Sequence, residues 1–207
     1  MRTLYLLRHA RPLLPAEPPC CLGSRSDVPL SPAGIADASA LKGLFQHLGV
    51  SAVGSSPMLR CRRTAELIAD STFPIRLLPG MIEQDCGDWD GRSLRELRCS
   101  DPINYALRGT DDSIPPPGGE APAAAAERGL AALGAFLAAT EGDVAVVAHA
   151  GINRAILCLL TGAPMAQCRS IAQDYLCINT LHFDGDALTA AAVGQDPRGF
   201  FGKDAGF

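Results

Sequence analysis

Two short apolar runs in this chain each end on a histidine, and that arrangement limits the fold more than any other feature of the sequence. Thr3-Leu4-Tyr5-Leu6-Leu7 runs into Arg8-His9, and Asp143-Val144-Ala145-Val146-Val147-Ala148 runs into His149. Unbroken apolar runs of this length suit strands buried on both faces, as in a parallel sheet, and they deliver polar residues at their carboxyl ends. Between them the period changes. From Ser31-Pro32-Ala33-Gly34 to about Leu48, the residues Ile35, Ala38, Leu41, Leu44, Phe45 and Leu48 recur at helical spacing. Ser31 is placed as N-cap, Pro32 as first helical residue and Gly49 as the stop.

Val50 to Ser55 reads as a second buried strand, Ser56-Pro57 opens a helix to about Asp70, and Ile75 to Leu78 gives a third strand. An Ala-rich helix from about Glu120 to Thr140 has an apolar face of Leu130, Leu133, Phe136 and Leu137, and a further helix from Ile152 to Leu160 follows His149. Ile178 to Phe183 and Ala187 to Val193 form closing strands about an Asp184-Gly185-Asp186 turn. Strands alternating with helices predict an α/β three-layer sandwich, with a mostly parallel central sheet flanked by helices. Ligands in such sheets sit beyond the carboxyl ends of the strands, so two of the four histidines fall on the functional edge.

At 207 residues and 47% hydrophobic, the chain suits a single domain over 1–207. The stretch from about 86 to 119 lacks clean periodicity and ends in Pro115-Pro116-Pro117-Gly118-Gly119; it reads as an excursion that covers the site. A net charge of −4 removes any global drive toward nucleic acid or an anionic membrane, so an anion site must be built locally. No apolar run approaches the ~18 residues of a membrane span, and Leu4 to Leu7 is too brief for a signal peptide, which predicts a cytoplasmic protein. The eight cysteines are scattered without a C-x-x-C pair and read as reduced thiols rather than a zinc site. A homodimer through a sheet edge stays open.

Phosphoryl transfer needs an in-line nucleophile, positive groups on the equatorial oxygens and a proton for the leaving alcohol. His9 suits the first role, because an imidazole is largely unprotonated at pH 7 and forms a labile N–P bond. Arg8, and Arg60 or a neighbour at the start of a helix, offer forked donors for phosphate oxygens, and His149 would complete the clamp as a cation. Taken singly, Arg8-His9 is a common dipeptide and His149 has the alternative of a satisfied core histidine. Arg62 and Arg63 read as a solvated basic face, and His47 and His182 receive no role.

Five stretches in order resemble the histidine phosphatase superfamily, the phosphoglycerate-mutase-like proteins. Leu7-Arg8-His9-Ala10 resembles its Arg-His-Gly signature, and Gly23 with Asp27 to Gly34 the stretch opening its first helix. Ser55 to Ala65 is similar to the block whose first Arg binds phosphate, Glu83 to Gly91 to the block whose Glu donates a proton, and Val147 to Gly151 to the second histidine block. The resemblance implies His9 as phosphorylated nucleophile, Arg8, Arg60 and His149 as phosphate clamp, and Glu83 as general acid and then base. It implies no metal or other cofactor. Ala10 departs from the signature glycine.

The function so implied is metal-independent hydrolysis of a small phosphorylated metabolite, in the manner of the α-ribazole and broad-specificity phosphatase branches, with α-ribazole 5′-phosphate a candidate substrate. Three alternatives stand beside it. A phosphoglycerate mutase needs extra basic groups; Arg92, Arg95, Arg98 and Arg108 follow Gly91, yet not the longer Arg-, Lys- and Tyr-bearing segment of the mutases. A phosphohistidine-protein phosphatase would be shorter and lack the excursion and its acid. A non-catalytic phosphate-binding scaffold would have lost His9, Arg60 or Glu83, and all three are present.

Overall fold

The computed structural model describes residues 1–14 and 19–201. Its frame is a six-stranded sheet in the order β3-β2-β4-β1-β5-β6. The strands are β1 (Arg2–Arg8), β2 (Ala52–Ser55), β3 (Ile75–Leu77), β4 (Val144–Ala148), β5 (Ile178–Phe183) and β6 (Leu188–Gln195). The first four in sequence run parallel, and β5 and β6 join antiparallel beside β1.

Among the described residues seven α-helices accompany the sheet: α1 (Pro32–Ala40), α2 (Leu44–His47), α3 (Leu59–Ala69), α4 (Leu94–Ser100), α5 (Pro102–Thr110), α6 (Pro122–Ala138) and α7 (Ala150–Thr161). The period of two in the strands sorts the core into two layers. Leu7, Ala145 and Val147 face Leu41, Phe45, Ala65 and Ile68 of the α1 to α3 segment, whereas Leu4, Leu6, Val144 and Val146 face Leu133, Phe136, Ile152 and Ile156 of α6 and α7. All five residues of β4 are buried, as its unbroken apolar run requires of the strand between β1 and β2.

Two expectations need revision. The continuous helix from Ser31 to Leu48 is broken: α1 ends at Ala40 and α2 begins at Leu44, with Gly43 between them at φ +82°. That left-handed conformation favours glycine, and the Gly43 amide bonds the Ile68 carbonyl at 3.0 Å, so the break lets the chain turn onto α3. Ser31 does cap the first piece, accepting from the Gly34 amide. The stretch 86–119 is also more ordered than its lack of periodicity predicted, because it holds α4 and α5. Trp89 fastens it internally through a 2.9 Å bond from Nε1 to Asp101. No helix among the described residues is long and apolar enough to cross a membrane.

Candidate active site

Parallel registration of β1 with β4 places Arg8 opposite Ala148, so the residues that follow each strand leave the sheet side by side. The His9 and His149 rings consequently meet edge-on with centroids 5.2 Å apart. His9 is 3% exposed. Its Nδ1 lies 2.7 Å from the Ala10 carbonyl, and a carbonyl only accepts, so Nδ1 carries the proton and Nε2 keeps its lone pair. Burial, reinforced by the charge of Arg60, lowers the His9 pKa to about 3. The ring is therefore neutral at ordinary pH, with an unprotonated Nε2.

Arg60 sits in the first turn of α3 and is fully buried. It donates from Nε to His149 Nδ1 at 3.2 Å, and from its terminal nitrogens to the carbonyls of Ser26 at 2.8 Å and Gly23 at 3.4 Å. These acceptors use three of the five guanidinium donors, and no carboxylate pairs with the charge among the described residues. A buried cation without a counterion is costly, and the two remaining donors are available to an anion.

The expected cationic His149 is not what the geometry gives. Its Nδ1 accepts from Arg60, so the proton sits on Nε2, 2.8 Å from Ser56 Oγ. Desolvation and the Arg60 charge hold its pKa well below the usual imidazole value. His149 is a neutral ring that orients Arg60, with one N–H to offer.

Arg8 reaches the site from the end of β1, stacked over the Tyr175 ring at 3.8 Å from its centroid and donating to the Gln173 carbonyl. Gln173 belongs to a buried amide cluster that the sequence reading missed. Its side chain exchanges bonds with Asn179 at 2.7 and 3.0 Å and accepts from Asn153 at 3.3 Å, while Asn179 Nδ2 bonds the Leu6 carbonyl at 2.9 Å. The cluster ties the 173–175 segment to β1 and so fixes what Arg8 leans on. Asn153 lies on α7, Gln173 in the loop before β5 and Asn179 on β5, so tertiary packing brings these amides together and no local spacing announces them.

Glu83 is 7% exposed and faces the N-terminus of α7. Oε1 accepts from the amides of Gln84 at 2.8 Å and Ile152 at 2.9 Å, and Oε2 accepts from Gly151 at 3.0 Å. Both lone pairs of Oε1 are thus used, and one on Oε2 is free to hold a proton. Arg128 of α6, paired with Glu120 at 2.7 Å, donates to the carbonyls of Gly80, Ile82 and Glu83 and so locks the main chain that carries the acid. Its signal in the sequence was faint: one of few charges in an Ala-rich helix.

Ala10, the departure from the glycine signature, is fully buried, takes no left-handed conformation, and donates its amide to Thr64 Oγ1 at 3.0 Å. The backbone needs no glycine there.

Arg8, His9 and Glu83 line one cavity of about 250 Å³, with Arg108, Arg154 and Tyr175 also on its walls. Arg60 and His149 are fully buried next to the lining residues, with the His149 ring against His9. A larger cavity of about 530 Å³ lies elsewhere and is edged by Asp37, Asp174, Asp196 and Arg198. Three carboxylates against one cation suit no phosphate dianion, which leaves the smaller cavity as the candidate site. Among the described residues no group of three or more His, Cys, Asp or Glu side chains is placed to hold a metal ion.

The model of the histidine phosphatase superfamily, branch 1, matches residues 4–196. An adenosylcobalamin/alpha-ribazole phosphatase of Salmonella typhimurium is 30% identical over 168 residues, covering 79% of this chain and 81% of that protein. A putative phosphoserine phosphatase 2 of Hydrogenobacter thermophilus is 27% identical over 193 residues, covering 91% of this chain and 93% of that protein. The solved structure of YhfR from Bacillus stearothermophilus superposes with a TM-score of 0.86 at 25% identity, over 95% of this chain and 98% of that one.

Proposed function

Since the chain belongs to the histidine phosphatase superfamily and is a phosphatase, we propose that it hydrolyses small phosphate monoesters without a metal, through a phosphohistidine on His9. The observation that carries this reading is the state of His9: neutral, its proton fixed on Nδ1 by Ala10, its Nε2 free beside a buried arginine charge that lacks a counterion.

In the first step the Nε2 lone pair attacks phosphorus and the bond from phosphorus to the ester oxygen breaks. Arg8 and the two spare donors of Arg60 take the equatorial oxygens, and the Nε2–H of His149 turns from Ser56 to a third. Glu83 supplies the proton on Oε2 to the departing oxygen, which leaves as the alcohol. In the second step water gives a proton back to Oε2 as its oxygen attacks phosphorus, the N–P bond breaks, and phosphate leaves with His9 neutral again. The balance is ester plus water to alcohol plus phosphate.

A mutase would need a second phosphate held while the first moves. Of the four arginines available for it, Arg92 pairs with Glu96 at 2.7 Å and Arg95 and Arg98 are exposed; Arg108 alone among them lines the cavity. The relatives named above, both phosphatases, favour hydrolysis. α-Ribazole 5′-phosphate enters as a candidate because a relative is named for that activity.

The test is phosphate release in EDTA from p-nitrophenyl phosphate, α-ribazole 5′-phosphate and sugar phosphates, for wild type and His9→Ala. Release that survives EDTA and vanishes in the variant, with acid-labile phosphate trapped on the wild-type protein, is expected. Release that persists in His9→Ala would overturn the route, and loss in EDTA would overturn its independence of metal.

A further inference from the structure

Three arginines in the cavity wall, Arg108, Arg154 and Arg169, are not used by the phosphoryl chemistry. Arg108 comes from the last turn of α5 and Arg154 from α7, and both are half-buried. Each is anchored by a carbonyl: Arg108 donates to Ile114, and Arg154 Nε donates to Ile171 at 2.9 Å. A carbonyl satisfies a donor without neutralising a charge. Neither arginine has a carboxylate within ion-pair distance among the described residues, whereas the adjacent Arg169 is paired with Asp112. Glu83 is the only carboxylate among the described residues of the wall, and main-chain amides surround it.

The charges are also pressed together. Arg169 donates to the Arg108 carbonyl, and burial together with the Arg169 charge lowers the Arg108 pKa; burial does the same to Arg8, with Arg154 adding to the effect. In a chain of net charge −4 this is a local excess of positive charge around a cavity of about 250 Å³. A transferred phosphate dianion is already balanced by Arg8 and Arg60, the two cations nearest His9. Arg108 and Arg154 remain over, and like charges held at a cavity without counterions are completed by an anionic ligand.

We propose that Arg108 and Arg154 form a subsite for a second anionic group on the substrate, so that the preferred ester is one whose alcohol part itself carries a carboxylate or a phosphate. The inference rests on the phosphatase reading of the same cavity and ranks substrates within it. Esters with an uncharged alcohol part, α-ribazole 5′-phosphate and p-nitrophenyl phosphate among them, leave the pair uncompensated. Arg108 makes the excursion between residues 86 and 119 a source of specificity as well as a wall.

The experiment compares 3-phosphoglycerate with glycerol 3-phosphate, a pair that differ by a carboxylate in place of a hydroxymethyl group. For wild type, kcat/KM is expected to favour 3-phosphoglycerate by about tenfold or more, as a charge-assisted hydrogen bond to the added carboxylate allows. The preference should shrink as ionic strength rises. In Arg108→Met and Arg154→Met, checked for folding by thermal denaturation, the ratio should fall toward one. Fructose 1,6-bisphosphate against fructose 6-phosphate asks whether a phosphate fills the subsite as well as a carboxylate does. Calorimetric binding of 3-phosphoglycerate and glycerol 3-phosphate to His9→Ala repeats the comparison without turnover, so a failure of the hydrolytic route is read separately from a failure of the subsite. A ratio near one in wild type, by turnover and by binding alike, overturns the proposal, as does a preference that survives in both arginine variants.

Discussion

Replacing Gly151 by alanine would set a methyl group against the proposed acid without touching it chemically. Built on the existing backbone, the new Cβ falls 2.5 Å from Glu83 Oε1, 3.1 Å from Cδ and 3.3 Å from Oε2. Non-bonded heavy atoms attract at about 3.5–4.0 Å, so the carboxylate must retreat by roughly 1 Å. Gly151 lies in the first turn of α7 with no positive φ, so alanine meets no backbone strain, and its helix preference of about 0.5–1 kcal/mol partly offsets a weakened amide bond to the carboxylate. The fold should therefore survive with stability changed by about 1–2 kcal/mol, a small part of the usual 5–15 kcal/mol. Activity should not. A 1 Å misplacement costs about a hundredfold, within the 10²–10⁴ that general acid catalysis supplies and equal to about 2.7 kcal/mol of barrier. The loss should fall on esters of poorly leaving alcohols such as glycerol 3-phosphate, whereas p-nitrophenolate departs without a proton and should lose less than about tenfold. Steady-state kcat/KM on both substrates, beside urea unfolding, decides it. Equal losses on the two esters in a stably folded variant would refute Glu83 as the proton donor, and so would no loss on either.

Stability should fall as pH drops from about 6.5 toward His9's folded pKa of about 3, because the unfolded chain protonates both histidines in that window while the fold keeps His9 and His149 neutral. The pair contributes a slope of up to about 2.7 kcal/mol per pH unit, and His9→Gln should remove about half of it in urea titrations at pH 5 to 7; an unchanged slope would contradict the neutral His9. Arg60→Lys cannot keep three carbonyl and imidazole acceptors as well as a fork for phosphate, so competitive inhibition by inorganic phosphate should weaken by about tenfold or more; an unaltered inhibition constant would remove Arg60 from the clamp. Gln173→Leu removes two buried bonds from Asn179 and one from Asn153 and should cost about 2–3 kcal/mol in urea unfolding, and a loss below about 0.5 kcal/mol would show that the cluster is not coupled.

What was legible in the sequence follows how far each feature is encoded locally. β1 and β4 announce themselves because burial on both faces demands unbroken apolar runs, and His9 and His149 are found because they terminate those runs. The break at Gly43 was hidden because the apolar period continues across it, from Leu41 to Leu44 and Phe45, with a tertiary bond to Ile68 deciding the turn. Glu83 was nominated by resemblance to a motif, and its setting was not foreseen, since the amides of Gly151 and Ile152 meet it only once α7 and the 80–83 turn pack together. Arg154 looked like one more helical residue and Arg108 like one of four arginines in an aperiodic stretch; the cavity separates them from their neighbours.

The charge of His149 was misjudged for a related reason, and the correction bears on how the site works. A histidine near a phosphate invites the reading of a cation, but Arg60 is closer, always charged and fully buried, and its Nε takes the imidazole lone pair. Two consequences follow from that single placement. The Arg60 charge disfavours a proton on either ring, which keeps Nε2 of His9 nucleophilic where a freely solvated imidazole would be partly protonated below neutrality. In the proposed mechanism the same charge has no counterion among the described residues until a phosphate arrives, so the empty site is electrostatically unfavourable in a way that the bound dianion relieves. On that reading, binding and nucleophile activation draw on one buried guanidinium.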